Sequence, residues 1–302
     1  MDINNCLPPV KVEILMKCIC CESRRITSTI IGSSEYYKCS FCGLFFISKE
    51  ADNNRKNIVF DHYRKNDPHE RVAASKQFFF KTTLDYLSTQ FNNEKRSLLD
   101  VGCGFGYFLE LASRNGWSVS GVEIVGAAVQ SARKTVGEKN IFHGSLKEAQ
   151  YSEEYFDAIT LWDVLVMVDS PFEELQECYR ILKRQGKIGI RVRNVLFQNM
   201  TYKIYFPFRN IASWLKVRKP YVFHRYNFHA KSLRLLLERV GFSAIQITNS
   251  PLTKGDPYSH TRNNKLTSVS KLLVDAIVRA IFQISGGRLI IGPSLLVWAE
   301  KM

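Results

Sequence analysis

The sequence predicts an α/β fold, in which a mostly parallel sheet with an antiparallel last strand follows a small cysteine-bearing module at the N-terminus. From residue 97 onward, short apolar runs alternate with helical segments, which is typical of a parallel sheet with helices on both faces. Before residue 50, two Cys-x2-Cys pairs are separated by short β-branched stretches. The chain has 302 residues, of which 45% are hydrophobic and 23% are charged. These values suit one large domain with appendages and exclude a wholly disordered protein.

We divide the chain into three segments. Residues 1–50 form the cysteine module, residues 51–96 form a linker and a helix that packs on the main domain, and residues 97–302 form the main domain. Two insertions interrupt the main domain, at 195–229 and at 252–288.

Capping signals and apolar runs locate the elements in order. A capping residue, a first-turn proline and an acid three residues past the cap predict a helix start. They occur at Asp67, Pro68 and Glu70, whose helix extends to about Phe91, and at Ser170, Pro171 and Glu173. Gly241 is a suitable cap for the end of a helix. In the main domain we predict strands over 97–102, 117–124, 140–144, 156–163, 187–194, 242–248 and 289–300, and helices over 105–114, 126–136, 171–182 and 230–240.

The N-terminus and the cysteines indicate the cellular compartment. The first residues do not have the signal-peptide pattern of a basic region followed by an apolar stretch and a cleavage site. No uncharged run approaches the ~18 apolar residues of a membrane span. We therefore expect a cytoplasmic protein without a transmembrane segment. In that compartment, the eight cysteines are metal ligands or buried thiols rather than a disulfide framework.

A glycine turn follows the first strand of the main domain. It reads GxGxG, with Gly102, Gly104 and Gly106 shortly after Asp100. Glycines let the backbone approach a ligand and present helix N-terminal amides to it. Glu123 ends the next strand, where a carboxylate can accept both hydroxyls of a ribose. This arrangement favours nucleotide binding over a turn needed only for packing, and its spacing differs from the GxGxxG dinucleotide fingerprint.

These residues resemble the motifs of class I S-adenosylmethionine-dependent methyltransferases, whose first motif is an acid followed by GxGxG. The resemblance is specific over 97–194 and weak beyond it. It implies a Rossmann-like methyltransferase sheet, S-adenosylmethionine as cofactor, the methionine half along the glycine turn, and Glu123 at the ribose. The segment 144–149 matches the adenine-side loop, with Ser145 where Asp is usual. The cofactor-binding candidates are Asp100, Gly102, Cys103, Gly104, Gly106, Glu123, Ile124, Ser145, Leu146 and Trp162.

One departure from this family follows the fourth strand. Relatives that resemble this chain most often carry Glu-His there, and this chain has Val166 and Met167. A mechanism that uses that histidine as the base is therefore excluded. Asp163 ends the same strand, at the edge where open parallel sheets bind ligands. We interpret it as a catalytic candidate or as a helix N-cap.

The N-terminal cysteines have the spacing of a metal site. Cys18 and Cys21 form one pair, and Cys39 and Cys42 form the second. This spacing predicts a four-cysteine zinc ribbon with a structural Zn²⁺, the alternative being unrelated buried cysteines. The module ahead of a methyltransferase domain resembles bacterial methyltransferases encoded with surface-polysaccharide and secondary-metabolite pathways. That resemblance implies a small-molecule or sugar acceptor.

The insertion at 195–229 is aromatic and basic. Between Glu177 and Glu238 the chain has no acidic residue and 14 basic ones, which equal its net charge of +14. Such a surface suits RNA, a phosphate-bearing sugar or a peripheral contact with an anionic membrane, or it is a basic loop that covers the sheet. We favour a substrate lid, in which His224 and His229 are candidate general bases or half-buried polar residues. In the insertion at 252–288 we expect a helix used in core packing or in a dimer seam.

The function predicted from the sequence is transfer of a methyl group from S-adenosylmethionine to a small molecule, a sugar or a glycan precursor. A zinc-ribbon RNA methyltransferase is the alternative within the enzymes. A non-catalytic cofactor-binding or scaffold protein is the alternative outside them, because the Glu-His pair is missing. The sequence does not indicate an oligomeric state.

Overall fold

The computed structural model describes residues 16–31, 34–47, 69–91, 96–214, 223–251, 253 and 265–302. Eleven strands lie in these ranges. They are β1 (Ile26–Ile31), β2 (Ser34–Cys39), β3 (Phe45–Ile47), β4 (Arg96–Val101), β5 (Trp117–Glu123), β6 (Ile141–His143), β7 (Phe156–Trp162), β8 (Leu182–Arg193), β9 (Tyr226–Asn227), β10 (Ser243–Asn249) and β11 (Ser294–Glu300).

Seven of the strands form the main sheet, in the order β10-β11-β8-β7-β4-β5-β6. The pairs from β8 to β6 are parallel. Strand β11 pairs antiparallel with both β8 and β10. The predicted Rossmann-like sheet with an antiparallel last strand is therefore confirmed.

The helices predicted from the sequence lie close to their expected positions, and the first insertion contains two further helices that were not predicted. The helices are α1 (His69–Gln90), α2 (Tyr107–Arg114), α3 (Gly126–Val136), α4 (Pro171–Ile181), α5 (Val195–Tyr205), α6 (Arg209–Trp214), α7 (Ala230–Val240) and α8 (Lys265–Ile284). At the start of α4, the Ser170 hydroxyl accepts a hydrogen bond from the backbone N–H of Glu173 at 3.3 Å. Helix α7 ends at Gly241, whose φ of 114° is left-handed. The start signal at Asp67 and Pro68 lies outside the described residues.

Helices cover both faces of the main sheet. Along β4, Leu98 and Leu99 point in opposite directions because side chains alternate along a strand. Leu98 belongs to a core cluster with Phe79 of α1 and Phe108 of α2. Leu99 belongs to the other large cluster, which includes Leu175 of α4 and residues of α7. The loops at the carboxyl ends of the parallel strands therefore lie at one edge, between two helical layers.

A second sheet of four strands contains the cysteine module, in the order β1-β2-β3-β9. Strand β9 comes from the insertion at 195–229 and pairs antiparallel with β3. The side-chain amide of Asn227 also donates to the Phe45 carbonyl at 3.0 Å. The sequence assigns residues 226–227 to the lid, and in the structure they pair with β3 on the side away from β2. Without this pairing, the backbone groups on that side of β3 would have no partner in the sheet.

The two insertions are mainly helical where the structure describes them. The first contains α5, a 3-10 turn over Phe206–Phe208 and α6. The second contains α8, which is followed by Gly286 and Gly287 with left-handed φ angles. None of the helices within the described ranges has the length and hydropathy needed to span a bilayer.

Candidate active site

The glycine loop connects β4 to α2 at the carboxyl edge of the sheet. Gly102, Gly104 and Gly106 have φ angles of 68°, 55° and 78°, in the left-handed region that favours glycine. A Cβ atom on Gly102 would lie 2.4 Å from a methyl group of Val164, and one on Gly106 would lie 3.0 Å from the backbone of Ala132. A Cβ on Gly104 would meet no atom within 4 Å. Gly102 and Gly106 are therefore required by packing, whereas Gly104 faces open space.

The carboxylate of Glu123 joins this loop to the end of β5. One oxygen accepts the N–H of Gly104 at 2.9 Å, and the other accepts the N–H groups of Ile124 and Val125, each at 2.9 Å. Burial raises the pKa of Glu123, and these N–H groups oppose the shift. A carboxylate has about four acceptor positions, so the three N–H bonds leave capacity for a hydroxyl group beside the open space at Gly104.

Asp100 lies beneath the glycine loop and is 2% exposed. Its carboxylate accepts a hydrogen bond from the Thr160 hydroxyl of β7 at 2.7 Å. Burial raises the pKa of Asp100 to about 7, although Thr160 and the charge of Lys76 oppose the shift. The side chain therefore links β4 to β7 below the loop and titrates near neutral pH.

The other predicted cofactor residues are divided between the site and the core. Ser145 adjoins Glu123, because the preceding Gly144 N–H donates to the Glu123 carbonyl at 3.0 Å, and Ile124 is exposed. The side chains of Cys103, Leu146 and Trp162 are buried in the two core clusters. Those three side chains therefore offer little free surface to a ligand, and their cofactor contacts stay a prediction.

Asp163 follows β7 at the same edge and is held by two cations. Its Oδ2 atom lies 2.5 Å from the Arg191 guanidinium and 3.3 Å from the Lys76 ammonium. Burial alone would raise the pKa of Asp163, but Arg191 and Lys76 hold it well below the usual range. Its φ of 65° is left-handed. Its Oδ1 atom is buried and accepts no hydrogen bond from the described residues.

Sequence reasoning did not assign a role to Lys76 or Arg191. Lys76 lies on α1, close to Phe79 and Phe80 of the core, and Arg191 lies within the buried strand β8. Arg191 also donates to the Ser250 hydroxyl at 3.0 Å. Arg191 interrupts the buried and otherwise apolar run 188–192 of β8. A buried charged residue rarely lacks a partner, and this is the signal that identifies Arg191.

The two candidate histidines lie where the insertion joins the cysteine module. The Nδ1 atom of His229 accepts the N–H of Lys231 at 3.1 Å and caps helix α7. Burial lowers the pKa of His229, and Lys231 and Lys38 add to the shift. The backbone N–H of His224 donates to the Asn227 side chain at 2.9 Å. The observed contacts of His229 are those of a helix cap, and a role as base stays a prediction for both residues.

The four predicted metal ligands lie together. The sulfur atoms of Cys18, Cys21, Cys39 and Cys42 are all within 4.8 Å of one another. Cys18 and Cys42 are 3.5 Å apart, and Cys21 and Cys39 are 3.6 Å apart. Four thiolates with Zn–S bonds of about 2.3 Å need sulfur separations of about this size. The donor set therefore fits a closed structural zinc site.

The cysteine module makes direct contacts with helix α7. The Lys231 ammonium donates to the Phe41 carbonyl at 2.7 Å, next to the second cysteine pair. The Arg239 guanidinium donates to the Ile19 carbonyl at 2.6 Å and pairs with Glu22 at 3.0 Å, next to the first. Both cysteine pairs are thus fixed to the main domain.

Strand β9 connects the cysteine module with the segment that follows Asp163. The backbone N–H of Tyr226 donates to the Val166 carbonyl at 3.1 Å, and its hydroxyl donates to the Asp169 carbonyl at 3.0 Å. Arg225 pairs with the Asp169 carboxylate at 2.5 Å. One short strand therefore contacts both the cysteine sheet and residues 166–169.

Comparison with known proteins gives one family match and several partial relatives. A family described as "Methyltransferase domain" matches residues 60–247. The ubiquinone biosynthesis O-methyltransferase of Histophilus somni is 28% identical over 127 residues, which cover 39% of this chain and 53% of the relative. The enzyme of the same name from Alkalilimnicola ehrlichii is 33% identical over 111 residues, which cover 35% of this chain and 45% of the relative. The chain therefore spans about half the length of the curated relatives it matches.

Solved structures are similar in fold. A Thermotoga maritima protein, described as an S-adenosylmethionine-dependent methyltransferase, superposes with a TM-score of 0.50 and 17% identity, covering 80% of this chain and 97% of that one. A chain in the Haloferax volcanii complex of the Trm112 methyltransferase activator with a methyltransferase gives a TM-score of 0.52 and 12% identity, covering 82% and 96%. At these identities the likeness concerns the fold alone.

Proposed function

The chain belongs to the methyltransferase domain family, and on this premise we propose that it transfers the methyl group of S-adenosylmethionine to a small-molecule acceptor. The observation that carries the proposal is the open space at Gly104 beside the Glu123 carboxylate. Left-handed glycines and a carboxylate with remaining acceptor capacity at the end of a parallel strand together favour a nucleoside cofactor.

In this proposal, the loop residues hold the cofactor and the sulfonium of S-adenosylmethionine supplies the reactive methyl group. Glu123 binds a ribose hydroxyl with its remaining acceptor capacity, and Ser145 and Ile124 border the adenine. Gly104 admits the methionine half, because any side chain there would enter the space it needs. Asp100 supports the loop through Thr160 rather than through the ligand.

Asp163 is the proposed acceptor-side residue. The side chain of Val164 packs against Gly102. Asp163 therefore directly precedes a residue that contacts the glycine loop. Its low pKa makes it a weak base but a permanent acceptor, and its carboxylate, in a side chain that is 28% exposed, can hold a hydroxyl donor in line with the methyl group. Lys76 and Arg191 fix the orientation of the carboxylate. His224 and His229 remain the proposed candidates for proton removal.

For the acceptor we propose a sugar or glycan precursor. The cysteine module resembles that of methyltransferases encoded with surface-polysaccharide pathways, and the basic insertion suits a phosphate-bearing sugar. A phenolic ring is the second candidate, because the partial relatives are named ubiquinone biosynthesis O-methyltransferases. RNA methylation and a non-catalytic binding role remain the alternatives from the sequence. The four cysteines are proposed to hold a structural Zn²⁺, which contributes to folding and offers no open position to a substrate.

A transfer assay with a radiolabelled methyl group distinguishes these acceptors. Purified protein is incubated with labelled S-adenosylmethionine and, separately, with nucleotide sugars, catechols and single-stranded RNA. We expect label in the small-molecule fractions, and we expect Asp163→Asn to lower kcat about 10²-fold or more because acceptor positioning is lost. As a matched control, Asp157→Asn changes a partly buried aspartate that pairs with Lys183 away from the glycine loop. Label in RNA alone would contradict the small-molecule proposal.

A further inference from the structure

Helix α5, the turn over Phe206–Phe208 and helix α6 expose a run of large apolar side chains, here called the 196–214 surface. Trp214 is 81% exposed, Ile204 64% and Phe208 61%. Its exposed apolar members are Leu196, Met200, Ile204, Phe206, Phe208, Ile211 and Trp214. Single exposed apolar residues are common, but a contiguous set of this size indicates a binding surface.

The opposite side of α5 already makes the contacts that attach it to the molecule. Val195 belongs to a core cluster with Tyr36 and Phe45, and Tyr202 packs against Phe223. Leu196, Met200 and Ile204 recur every four residues and lie together on the outer side. Within the part of the chain that the structure describes, both sides of the helix are thus apolar, and only the inner one is covered.

The charge of this segment selects the kind of partner. Lys203 and Arg209 are exposed within it, and the Arg209 guanidinium lies 4.3 Å from the Phe206 ring centroid. Lys216, Arg218 and Lys219 follow in the sequence, outside the described residues, and no acidic residue occurs between Glu177 and Glu238. A basic helical segment with exposed tryptophan and phenylalanine is typical of proteins that lie on anionic lipid.

Two other partners fit less well. RNA-binding surfaces use aromatic rings for base stacking, and Met200, Ile204 and Ile211 can neither stack on a base nor donate to a phosphate. A symmetric dimer would bring the same patch of two copies together, so that Lys203 and Arg209 would face a surface with their own charge.

We propose that the 196–214 surface binds an anionic lipid bilayer. Ile204, Phe208 and Trp214 enter the headgroup region, and Lys203 and Arg209 contact the lipid phosphates. Helix α5 begins two residues after Arg193, the last residue of β8, so this surface adjoins the carboxyl edge that carries Asp163. Lipid binding requires neither cofactor nor methyl transfer, and its test is therefore independent of the proposed activity.

Tryptophan fluorescence provides a direct test. The chain has four tryptophans, and Trp117, Trp162 and Trp298 are buried, so the solvent-sensitive emission comes from Trp214. The full-length protein is mixed with vesicles of phosphatidylglycerol and phosphatidylcholine whose acyl chains are brominated, and with vesicles of phosphatidylcholine alone. With the anionic vesicles we expect a blue shift, quenching and cosedimentation, all weakened by added salt.

Variants separate the apolar contribution from the charge. Trp214→Phe should still cosediment while losing the fluorescence change. The pair Ile204→Ser and Phe208→Ser should abolish binding, whereas Ile30→Ser, at a residue 74% exposed on β1, should not. Replacing Lys203 and Arg209 by glutamine should lower the vesicle affinity by about tenfold or more. Circular dichroism of each variant verifies its fold.

Several results would overturn the proposal. They are an unchanged Trp214 emission with anionic vesicles, equal binding to neutral vesicles, quenching by single-stranded RNA in place of lipid, and a dimer in which Trp214 is shielded before lipid is added.

Discussion

At the scale of single residues, the carboxyl edge of the sheet contains groups whose hydrogen bonds shape the loops and groups that the contacts within the protein leave unused. One of the three hydrogen bonds to the Glu123 carboxylate comes from Gly104 and joins the glycine loop to the end of β5, and the other two come from the residues that follow β5. A Cβ atom on Gly104 would meet no atom within 4 Å, and the Oδ1 atom of Asp163 accepts no hydrogen bond from the described residues. Ligand binding at Gly104, Glu123 and Asp163 is therefore our proposal, whereas the observed contact of Asp100 is the hydrogen bond that links β4 to β7.

Asp100 gives a prediction on pH and stability. Its pKa is about 7 in the folded protein and 3.8 ordinarily. A raised pKa in the folded state means that its stabilising contribution is complete below about pH 4 and is lost as the pH rises through 7. Asp100→Asn cannot ionise, so its free energy of unfolding relative to the wild type should increase by on the order of 2 kcal/mol between pH 5 and pH 8.

Urea unfolding of both proteins at several pH values measures this difference. The control is Asp85→Asn on α1, which should show the same pH dependence as the wild type. A difference between Asp100→Asn and the wild type that is constant with pH would show that the Asp100 carboxyl group is ionised throughout the range.

At the scale of elements, strand β9 connects the cysteine module to residues 166–169, which lie on the proposed acceptor side. We expect one zinc per chain, with roughly 10 to 16 kcal/mol of apparent binding free energy available to folding. Its removal should release the pairing of β3 with β9 and then the contacts of Tyr226 with Val166 and Asp169. The KM for the acceptor should therefore rise more than the dissociation constant of the cofactor.

Hydrogen exchange with and without a zinc chelator tests this coupling without an activity assay. Protection of residues 223–229 and 166–169 should fall on chelation, while that of β4 and β5 should persist. Cys39→Ser should lose the metal, whereas Cys20→Ser should retain it because Cys20 is not part of the four-sulfur group. Protection at 166–169 that does not depend on zinc would refute the coupling.

Elements were predictable where local signals determine them. The cap at Ser170, the glycine turn and the cysteine spacing depend on residues close in sequence, and the structure places them as expected. The pairing of Phe45–Phe46 with Tyr226–Asn227 joins segments far apart in the chain, which no local pattern specifies. The same distance hides the Lys76–Asp163–Arg191 group, since Lys76 alone looks like an ordinary surface charge and Asp163 like a helix cap.

At the scale of the whole molecule, the described residues form two sheets. Residues 166–169, on the proposed acceptor side, follow a strand of the main sheet and contact β9 of the second sheet. The main sheet supplies the cofactor edge, and the cysteine sheet borders residues 166–169 through β9. The four-stranded sheet that contains the cysteine module therefore also contains residues 226–227 of the first insertion. The proposed lipid surface lies on the first insertion, so cofactor, acceptor and membrane contacts come from different parts of one chain.

The central claim is that S-adenosylmethionine binds at Gly104 and Glu123, and isothermal titration calorimetry tests it most directly. The wild type should bind one S-adenosylmethionine and one S-adenosylhomocysteine per chain at a single site. Glu123→Gln and Gly104→Val should each weaken binding by tenfold or more, about 1.4 kcal/mol, while Glu153→Gln on the exposed loop before β7 should bind like the wild type. Absence of binding by the folded wild type, or equal affinities for Glu123→Gln and Glu153→Gln, would contradict the account.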